Sequence, residues 1–327
     1  MKKIYIFLLV IFVFSSCNKA AQTQTAAAME VQSVNVPMFI ADSAYNYVKH
    51  QVDFGPRVPN TKAHELCAAY LSESLKSFGA VVTQQKVALT TFDGSRLNAV
   101  NIIGSYNIEN ENRILLFAHW DSRPWSDNDP DPAKHRQAVD GANDGASGVG
   151  VLLEMARQFG LQHPNTGVDI AFFDAEDYGA PESYKGNVED SWCLGTQYWS
   201  KNPHVKGYTA KYGILLDMVG APGATFYKEQ ISMYYAAHVV NKVWSAAEKL
   251  GFGQYFVNAQ GGAVTDDHLY VNKMANIPSI DIIQYDPNTD SGFGAYWHTT
   301  NDTMENIDKN TLYAVGTTLL NVVYAEQ

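Results

Sequence analysis

Four short, largely apolar stretches most strongly limit what this chain can fold into. They are RILLFAH at Arg113–His119, VDIAFF at Val168–Phe173, YGILL at Tyr212–Leu216 and SIDII at Ser279–Ile283. Runs of this length and composition are typical of strands that are buried on both faces of a sheet. Such a sheet needs other elements to cover both of its sides.

Segments with a helical spacing of apolar residues lie before, between and after these strands. Two further strands, Ala80–Leu89 and Asn98–Tyr106, are joined by a short turn and are expected to pair antiparallel. The alternation of strands and helices predicts an α/β sheet that is covered on both sides. The predicted helices are Ala41–Val52, Ala63–Phe78, Ser147–Phe159, Ala236–Leu250, Asp266–Asn272 and Asn310–Tyr324.

The N-terminal residues differ in character from the rest of the chain. Lys2 and Lys3 precede an apolar run that is too short to span a bilayer, and small residues then lead to Cys17. This order is typical of a secretory signal and is similar to bacterial lipoprotein signals, in which such a cysteine is lipidated. An ordinary secretory signal that happens to contain a cysteine is the alternative.

This interpretation divides the chain into three parts. We predict a signal peptide at residues 1–16, a lipidated flexible tether at 17–36 and a single domain at 37–327. The protein would then be located in the cell envelope of a Gram-negative bacterium, on a periplasm-facing surface of the inner or outer membrane. It would contact the membrane only through the lipid on Cys17.

The composition excludes some classes of protein. Apolar residues make up 46% of the chain, which is enough to build a large core. With 23 Lys and Arg against 34 Asp and Glu, the net charge is −11, so a nucleic-acid partner is not expected. Three cysteines cannot form a dense disulfide framework. We expect Cys67 and Cys193 to be separate thiols, although pairing in an oxidising envelope stays open.

Polar residues follow three of the predicted buried strands. His119-Trp120-Asp121 ends the first, Asp174-Ala175-Glu176-Asp177 follows the second, and Asp217 follows the third. The carboxyl ends of parallel strands lie along one edge of a sheet, where ligands bind. Clustered carboxylates repel one another unless a cation neutralises them. Their convergence therefore predicts a metal site.

Two other segments supply candidate ligands. Asp144 lies in the small-residue loop 141–148, where the backbone can approach its neighbours closely, and His298 stands beside Trp297. Zinc binds such mixed nitrogen and oxygen ligands and leaves a position open in catalytic sites. The full candidate set is His119, Asp144, Asp177, Asp217 and His298.

The segment 127–132, with the sequence DNDPDP, resembles an oxygen-rich calcium loop. A calcium helix–loop–helix needs Gly at the sixth position and Glu at the twelfth, where this chain has Pro132 and Ala138. We therefore predict a solvated loop, stiffened by proline, beside the cleft.

Taken together, the motifs resemble those of the zinc-dependent aminopeptidase superfamily. The similarity is carried by His119-Trp120-Asp121-Ser122, residues 141–148, Phe172–Asp177 and His298. Within that superfamily, the LLDMVGAP stretch at 215–222, Asp266-Asp267-His268 and Trp297-His298-Thr299 resemble the glutaminyl cyclases. The resemblance covers roughly residues 40–325 and implies a three-layer α/β/α fold with a central mixed, mostly parallel sheet flanked by helices.

The resemblance also implies an activity and roles for individual residues. Glutaminyl cyclases convert the N-terminal glutamine of peptides and proteins into pyroglutamate and release ammonia. Asp144, Asp177 and His298 would bind one catalytic zinc, and Glu176 would act as general base and acid. Asp217 and Asp266 would form a hydrogen-bonded acidic pair near the substrate amine. Trp297 and Trp192 would line the pocket, and we expect a monomer.

Two other functions fit the same residues. A metallo-aminopeptidase would bind two zincs, one through His119 and Asp217 and the other through Asp177 and His298, with Asp144 bridging them. A surface lipoprotein that binds a ligand on an inactive peptidase fold is the third possibility. It is disfavoured because the candidate base and all of the candidate ligands are present.

Overall fold

The computed structural model describes residue 1 and residues 35–181 and 183–326. The rest of the predicted signal peptide, Cys17 and the tether up to residue 34 lie outside the described residues. Val36 packs against the hydrophobic core. Within the described ranges, no helix combines the length and apolar character that a membrane crossing requires.

The described residues form seven α-helices and eight strands, joined by loops and short 3₁₀ and π turns. The helices are α1 (Ala41–Asp53), α2 (Lys62–Ser77), α3 (Ala146–Leu161), α4 (Leu194–Lys201), α5 (Gln230–Lys249), α6 (Asp267–Tyr270) and α7 (Lys309–Tyr324). The strands are β1 (Val81–Thr90), β2 (Arg96–Tyr106), β3 (Arg113–His119), β4 (Gly167–Phe173), β5 (Tyr212–Asp217), β6 (Phe226–Lys228), β7 (Phe256–Gln260) and β8 (Ser279–Ile283).

The predicted helices and strands are all present, and the differences have local causes. Helix α5 begins at Gln230, six residues before its predicted start, where the side chain of Glu229 caps it. Ala236, the predicted start, is instead a kink with non-helical backbone angles inside the helix. Helix α6 is a single turn that continues into a π turn at Val271–Ala275. The short elements α4, β6 and β7 were not predicted from the sequence.

Six of the strands form one mixed sheet in the order β1-β2-β4-β3-β5-β8. Strands β4, β3, β5 and β8 run parallel to one another, whereas β1 and β2 pair antiparallel, as expected from the short turn between them. Strand β2 is also antiparallel to β4. Because the four parallel strands share one direction, their carboxyl ends lie along the same edge of the sheet.

Side chains that alternate along each strand fill two separate cores. In β3, Ile114 and Leu116 belong to the core under α1, α2, α3, α5 and α7. Their neighbours Leu115 and Phe117 belong to the core on the opposite face, together with Trp199 of α4. Helices therefore cover both faces of the sheet, and the three-layer α/β/α prediction is confirmed.

Cys67 and Cys193 are both buried and both free. Cys67 lies in the core under α2, and Cys193 lies immediately before α4. The expectation of two separate thiols is confirmed.

Candidate active site

Side chains from the ends of β3 and β5 meet at the carboxyl edge of the sheet. His119 is the last residue of β3 and Asp217 is the last residue of β5. The Nε2 atom of His119 lies 3.0 Å from Oδ1 of Asp144 and 3.2 Å from Oδ1 of Asp217. The structure thus brings these three candidate ligands into one buried group.

A second group shares Asp144 with the first. The Nε2 atom of His298 lies 3.2 Å from Oδ1 of Asp177 and 3.5 Å from Oδ2 of Asp144. In each group, the potential ligand atoms all lie within 4.8 Å of one another. The two oxygens of the Asp144 carboxylate therefore face different histidines.

The donor set of both groups fits a divalent cation. One imidazole nitrogen and two carboxylates are ligands that zinc accepts in catalytic sites. Burial and the charge of Asp144 raise the pKa of Asp177 well above its ordinary value. Burial likewise raises the pKa of Asp217 to about 6, against the opposing hydrogen bond to His119. A cation between these acids would stabilise their ionised forms.

The loop that carries Asp144 is held against both the sheet and the C-terminal segment. The carboxylate of Asp302 accepts the N–H groups of Asn143 at 2.8 Å and of Asp144 at 3.0 Å. A Cβ atom at Gly145 would lie 2.6 Å from the carbonyl oxygen of His119, and one at Gly148 would lie 2.2 Å from that of Leu216. The close backbone approach expected for this loop is confirmed, and only glycine permits it.

Asp121 positions the two acids that follow β4. Its carboxylate accepts the N–H of Glu176 at 3.1 Å and the N–H of Asp177 at 3.2 Å. The preceding residue, Ala175, has a positive φ of 54°, an uncommon conformation that turns the chain sharply after the strand. The sequence did not indicate this positioning role for Asp121, although the residue lies only two positions after His119.

Glu176 lies beside both groups and, like Asp144, Asp177 and His298, lines a cavity. It is 8% exposed, and its Oε2 lies 4.0 Å from Nδ1 of His119. The thiol of Cys193 donates a hydrogen bond to its Oε1 at 3.2 Å. Burial raises the pKa of Glu176 well above its ordinary value; the charge of His119 opposes this shift, and that of Asp266 adds to it.

Asp266 lines the same cavity but is not hydrogen-bonded to Asp217 in the way that the resemblance implied. Asp217 makes its close contact with His119, whereas Asp266 caps α6 by accepting the N–H of Asp267 at 2.5 Å. Burial and the charge of Asp217 raise the pKa of Asp266 to about 7. The two acids therefore interact through their charges, and the acids grouped closely with Asp266 are Glu176 and Asp281.

Two tryptophans form an aromatic wall of a cavity of about 330 Å³. The ring of Trp297 stacks on His298 with 3.9 Å between centroids, and the ring of Trp192 stacks on it at 5.9 Å. The guanidinium of Arg123 lies 4.6 Å from the centre of the Trp192 ring and donates to the carbonyl of Asp177 at 3.1 Å. Trp192 thus reaches the cavity together with Trp297.

The loop 127–132 is mostly exposed, but two of its acids have partners elsewhere in the fold. Asp127 accepts two hydrogen bonds of 2.7 Å from Arg123, and its Oδ1 lies 3.8 Å from Nδ1 of His298. Asp129 is only 3% exposed and accepts a hydrogen bond from the hydroxyl of Thr300. Asn128 and residues 130–132 are exposed, as expected for a solvated loop, whereas Arg123 and Thr300, which are distant from each other in sequence, provide partners that shield Asp127 and Asp129 from solvent.

Residues 101–323, well over half of the chain, match peptidase family M28. The chain belongs to peptidase family M28.

Solved structures of similar proteins extend over nearly all of this M28 chain. It is 63% identical to a Zn-dependent exopeptidase from Parabacteroides distasonis, with a TM-score of 0.89 and coverage of 89% of this chain and 100% of that one. It is 60% identical to a glutaminyl cyclase from Tannerella forsythia, with a TM-score of 0.88 and coverage of 89% and 100%. A glutaminyl cyclase from Bacteroides thetaiotaomicron, solved with N-acetylhistamine bound, is 57% identical, with a TM-score of 0.88 and coverage of 90% and 100%.

More distant relatives are longer than this chain. Aminopeptidase YwaD of Bacillus subtilis is 28% identical over 82% of this chain and 54% of its own length. The glutaminyl-peptide cyclotransferase of Bos taurus is 25% identical over 65% of this chain and 62% of its own length. The chain therefore spans little more than half of these two relatives.

Proposed function

We propose that this M28 family member is a zinc-dependent glutaminyl cyclase, which converts the N-terminal glutamine of peptides and proteins into pyroglutamate and releases ammonia. The observation that carries this proposal is the position of Glu176 beside the Asp144–Asp177–His298 group, in a cavity walled by Trp192 and Trp297. Similar solved structures that are named glutaminyl cyclases support it.

Cyclisation joins the α-amine of glutamine to its own γ-amide carbon. Because both groups belong to one residue, catalysis needs little beyond holding the side chain folded and managing charge and protons. Zinc held by Asp144, Asp177 and His298 would supply Lewis-acid polarisation of the γ-carbonyl. Those three ligands are each at least nine-tenths buried, which favours strong electrostatic interactions.

Glu176 transfers the proton in this scheme. Its carboxylate takes a proton from the α-amine as the ring closes, and it returns that proton to the departing ammonia. A raised pKa suits a group that must both accept and release a proton near neutral pH. Asp121 keeps the group in place by holding its backbone N–H.

The aromatic wall selects for cyclisation over hydrolysis. The rings of Trp192 and Trp297 offer an apolar surface for the methylene carbons of glutamine, and they limit the space for a water molecule that could attack the amide. Asp266, on another side of the same cavity, would lie near the reacting amine and the leaving group.

A two-zinc aminopeptidase is the second candidate, because Asp144 belongs to two groups of potential ligands. One contact favours a single zinc. The Nε2 atom of His119 lies 3.2 Å from the backbone nitrogen of Gly145 as well as close to both carboxylates, so a second metal would have to displace these contacts.

Ammonia release from a glutamine-initiated peptide, with and without a chelator, tests the proposed function. We expect release that stops on chelation and returns with zinc, with one zinc per chain by elemental analysis. A matched peptide that begins with leucine is the control and should remain intact. Two zincs per chain together with free amino acids released from peptides would instead establish the aminopeptidase.

We also propose that a lipid on Cys17 anchors a single catalytic domain, residues 37–327, as a monomer in the cell envelope. The support is the basic start, the apolar run and the small residues before Cys17. Cys17→Ala should move the protein from the membrane fraction to the soluble envelope fraction. A variant that stays with the membrane would contradict this anchor.

A further inference from the structure

We propose a second cation site in the cavity, formed by Glu176, Cys193 and Asp266, which takes a soft divalent cation such as Cd²⁺, or Zn²⁺ in excess, and inhibits the enzyme. The cation site itself depends only on these side chains. Its inhibitory effect rests on the proposed role of Glu176.

The three side chains already form a cluster suited to a metal. One oxygen of Glu176, one oxygen of Asp266 and Sγ of Cys193 all lie within 4.8 Å of one another. Asp266 is only 3% exposed, and its Oδ2 has no hydrogen-bond partner among the described residues. A buried carboxylate oxygen without a partner is costly unless a cation or a proton satisfies it.

The backbone holds Cys193 in this position. Its N–H donates to the carbonyl oxygen of Glu176 at 3.0 Å, so the two residues keep a constant separation. Cys193 also has a positive φ of 56° immediately before α4, a backbone conformation that few residues other than glycine adopt. Its thiol contacts Glu176 directly, with 3.2 Å between Sγ and Oε1.

The ligand chemistry selects the class of cation. A thiolate with two carboxylates favours the softer Zn²⁺ and Cd²⁺ over Mg²⁺ and Ca²⁺, which prefer oxygen ligands alone. On binding, the S–H proton of Cys193 passes to the solvent buffer and a sulfur–metal bond forms. No group is oxidised or reduced in this step.

The cavity gives a cation access to this site. Glu176 and Asp266 both line the cavity, so an ion can arrive from the side on which substrate would enter. A neighbouring cluster of Asp266, His268 and Asp281 lies deeper, and its last two members are at most 1% exposed. Cys193 is also fully buried, but two members of its site line the cavity against one member of the other cluster, so the site with Cys193 is the more accessible of the two.

A cation bound here would inhibit proton transfer. It would occupy the carboxylate of Glu176 that must accept the proton of the α-amine, while Asp144, Asp177 and His298 keep their zinc. Inhibition should therefore appear above the zinc concentration that restores activity to the chelated protein.

Cadmium titration of the zinc-loaded full chain tests the site without relying on activity. We expect a saturable ultraviolet sulfur-to-cadmium charge-transfer band, because none of the proposed zinc ligands contains sulfur. The band should persist in Cys67→Ser and in Cys17→Ser, and it should disappear in Cys193→Ser. A band that is absent from the wild-type protein, or unchanged in Cys193→Ser, would overturn the proposal.

Asp266→Asn provides a second variant that keeps the thiol, in case Cys193→Ser does not fold. It should weaken cadmium binding by at least the roughly 10–100-fold that loss of a metal's supporting group typically costs. Unchanged affinity in this variant would also overturn the site.

Inhibition of ammonia release by Cd²⁺ is the functional readout. Cys193→Ser should need at least about tenfold more Cd²⁺ for half-inhibition than Cys67→Ser, whose thiol lies in the core. Equal sensitivity of the two variants would overturn the inhibitory role. If the wild-type protein released no ammonia at all, the proposed function would fail, while the charge-transfer band would still decide the site.

Discussion

Glu176 owes its position to groups that lie far from it in the sequence. Asp121 accepts its backbone N–H, Cys193 donates to its carboxylate, and His119 lies 4.0 Å from that carboxylate. Each contact fixes a different part of the residue, so the carboxylate faces the cavity in a defined orientation. Such a group can transfer a proton without first reorganising its surroundings.

Replacing this carboxylate tests its role directly. We expect Glu176→Gln to lower kcat for ammonia release by about 10²–10⁴-fold, because the amide cannot carry the proton. Zinc content and melting temperature should stay near the wild-type values, because glutamine has the same size and can still accept from Cys193. Glu65→Gln, at an exposed position of α2, is the matched control and should retain full activity. Near-normal turnover of Glu176→Gln would remove this residue from the mechanism.

Arg57 connects two structural elements that carry candidate ligands. Its guanidinium is fully buried and donates to the carbonyl oxygens of Trp120, Asp140 and Gly141. Trp120 directly follows His119 at the end of β3, and Gly141 opens the loop that carries Asp144. The side chain therefore holds the end of a strand and the start of a helix together at the site.

Loss of this connection should affect both stability and metal binding. Arg57→Met removes hydrogen bonds to three carbonyl oxygens, so we expect the free energy of unfolding to fall by on the order of 3 kcal/mol. Zinc affinity should fall as well, because Asp144 and His119 lose a shared support. Urea unfolding and zinc titration measure the two effects, with the exposed Arg96→Met as control. An unchanged unfolding free energy and zinc affinity in Arg57→Met would show that this side chain does not stabilise the two segments.

Glu229, which caps the N-terminus of helix α5, provides a prediction about stability at acid pH. Burial would raise the pKa of Glu229, but His268 and the N–H groups of Ser232 and Ile231 outweigh burial and lower it to about 2. A pKa below the ordinary 4.5 means that this group stabilises the folded protein fully above about pH 4.5. That contribution, about 3 kcal/mol, is lost as pH falls from there towards about 2.

Glu229→Gln should make the free energy of unfolding depend less on pH in the acid range. We expect the wild-type protein to lose more unfolding free energy than the variant between pH 6 and pH 3, by about 2 kcal/mol. Glu248→Gln, an exposed change in the same helix, should keep the wild-type slope. Parallel pH dependence in the wild-type protein and Glu229→Gln would contradict this assignment.

At the scale of the whole molecule, the candidate metal site joins segments that are distant in the chain. Asp144 precedes α3, Asp177 follows β4, and His298 lies between β8 and α7. A cation that binds all three links these segments only in the folded state, so it must stabilise that state by mass action.

Chelation should therefore lower the melting temperature of the wild-type protein, and added zinc should restore it. At a free zinc concentration 100 times the dissociation constant, the effect is about 2.7 kcal/mol. Asp144→Asn should show little response to the chelator, because it lacks the ligand common to both groups. An equal response in both proteins would place the stabilising ion elsewhere.

The sequence by itself determined the six strands of the main sheet, most helices and the edge of that sheet at which polar residues gather. Apolar periodicity and strand-end residues are local properties, so the four buried runs and the acids after them could be identified without coordinates. The antiparallel start of the sheet followed from the short turn between β1 and β2. The missed elements α4, β6 and β7 have at most eight residues each, too few to show a clear period.

Only the tertiary structure decided how the gathered residues divide their contacts. It placed Asp144 between two histidines, directed Asp217 towards His119, and brought Cys193 beside Glu176. It also gave Asp127 and Asp129 partners from distant segments. These outcomes depend on backbone turns and on packing between residues that are far apart in the chain, and no local pattern encodes such contacts.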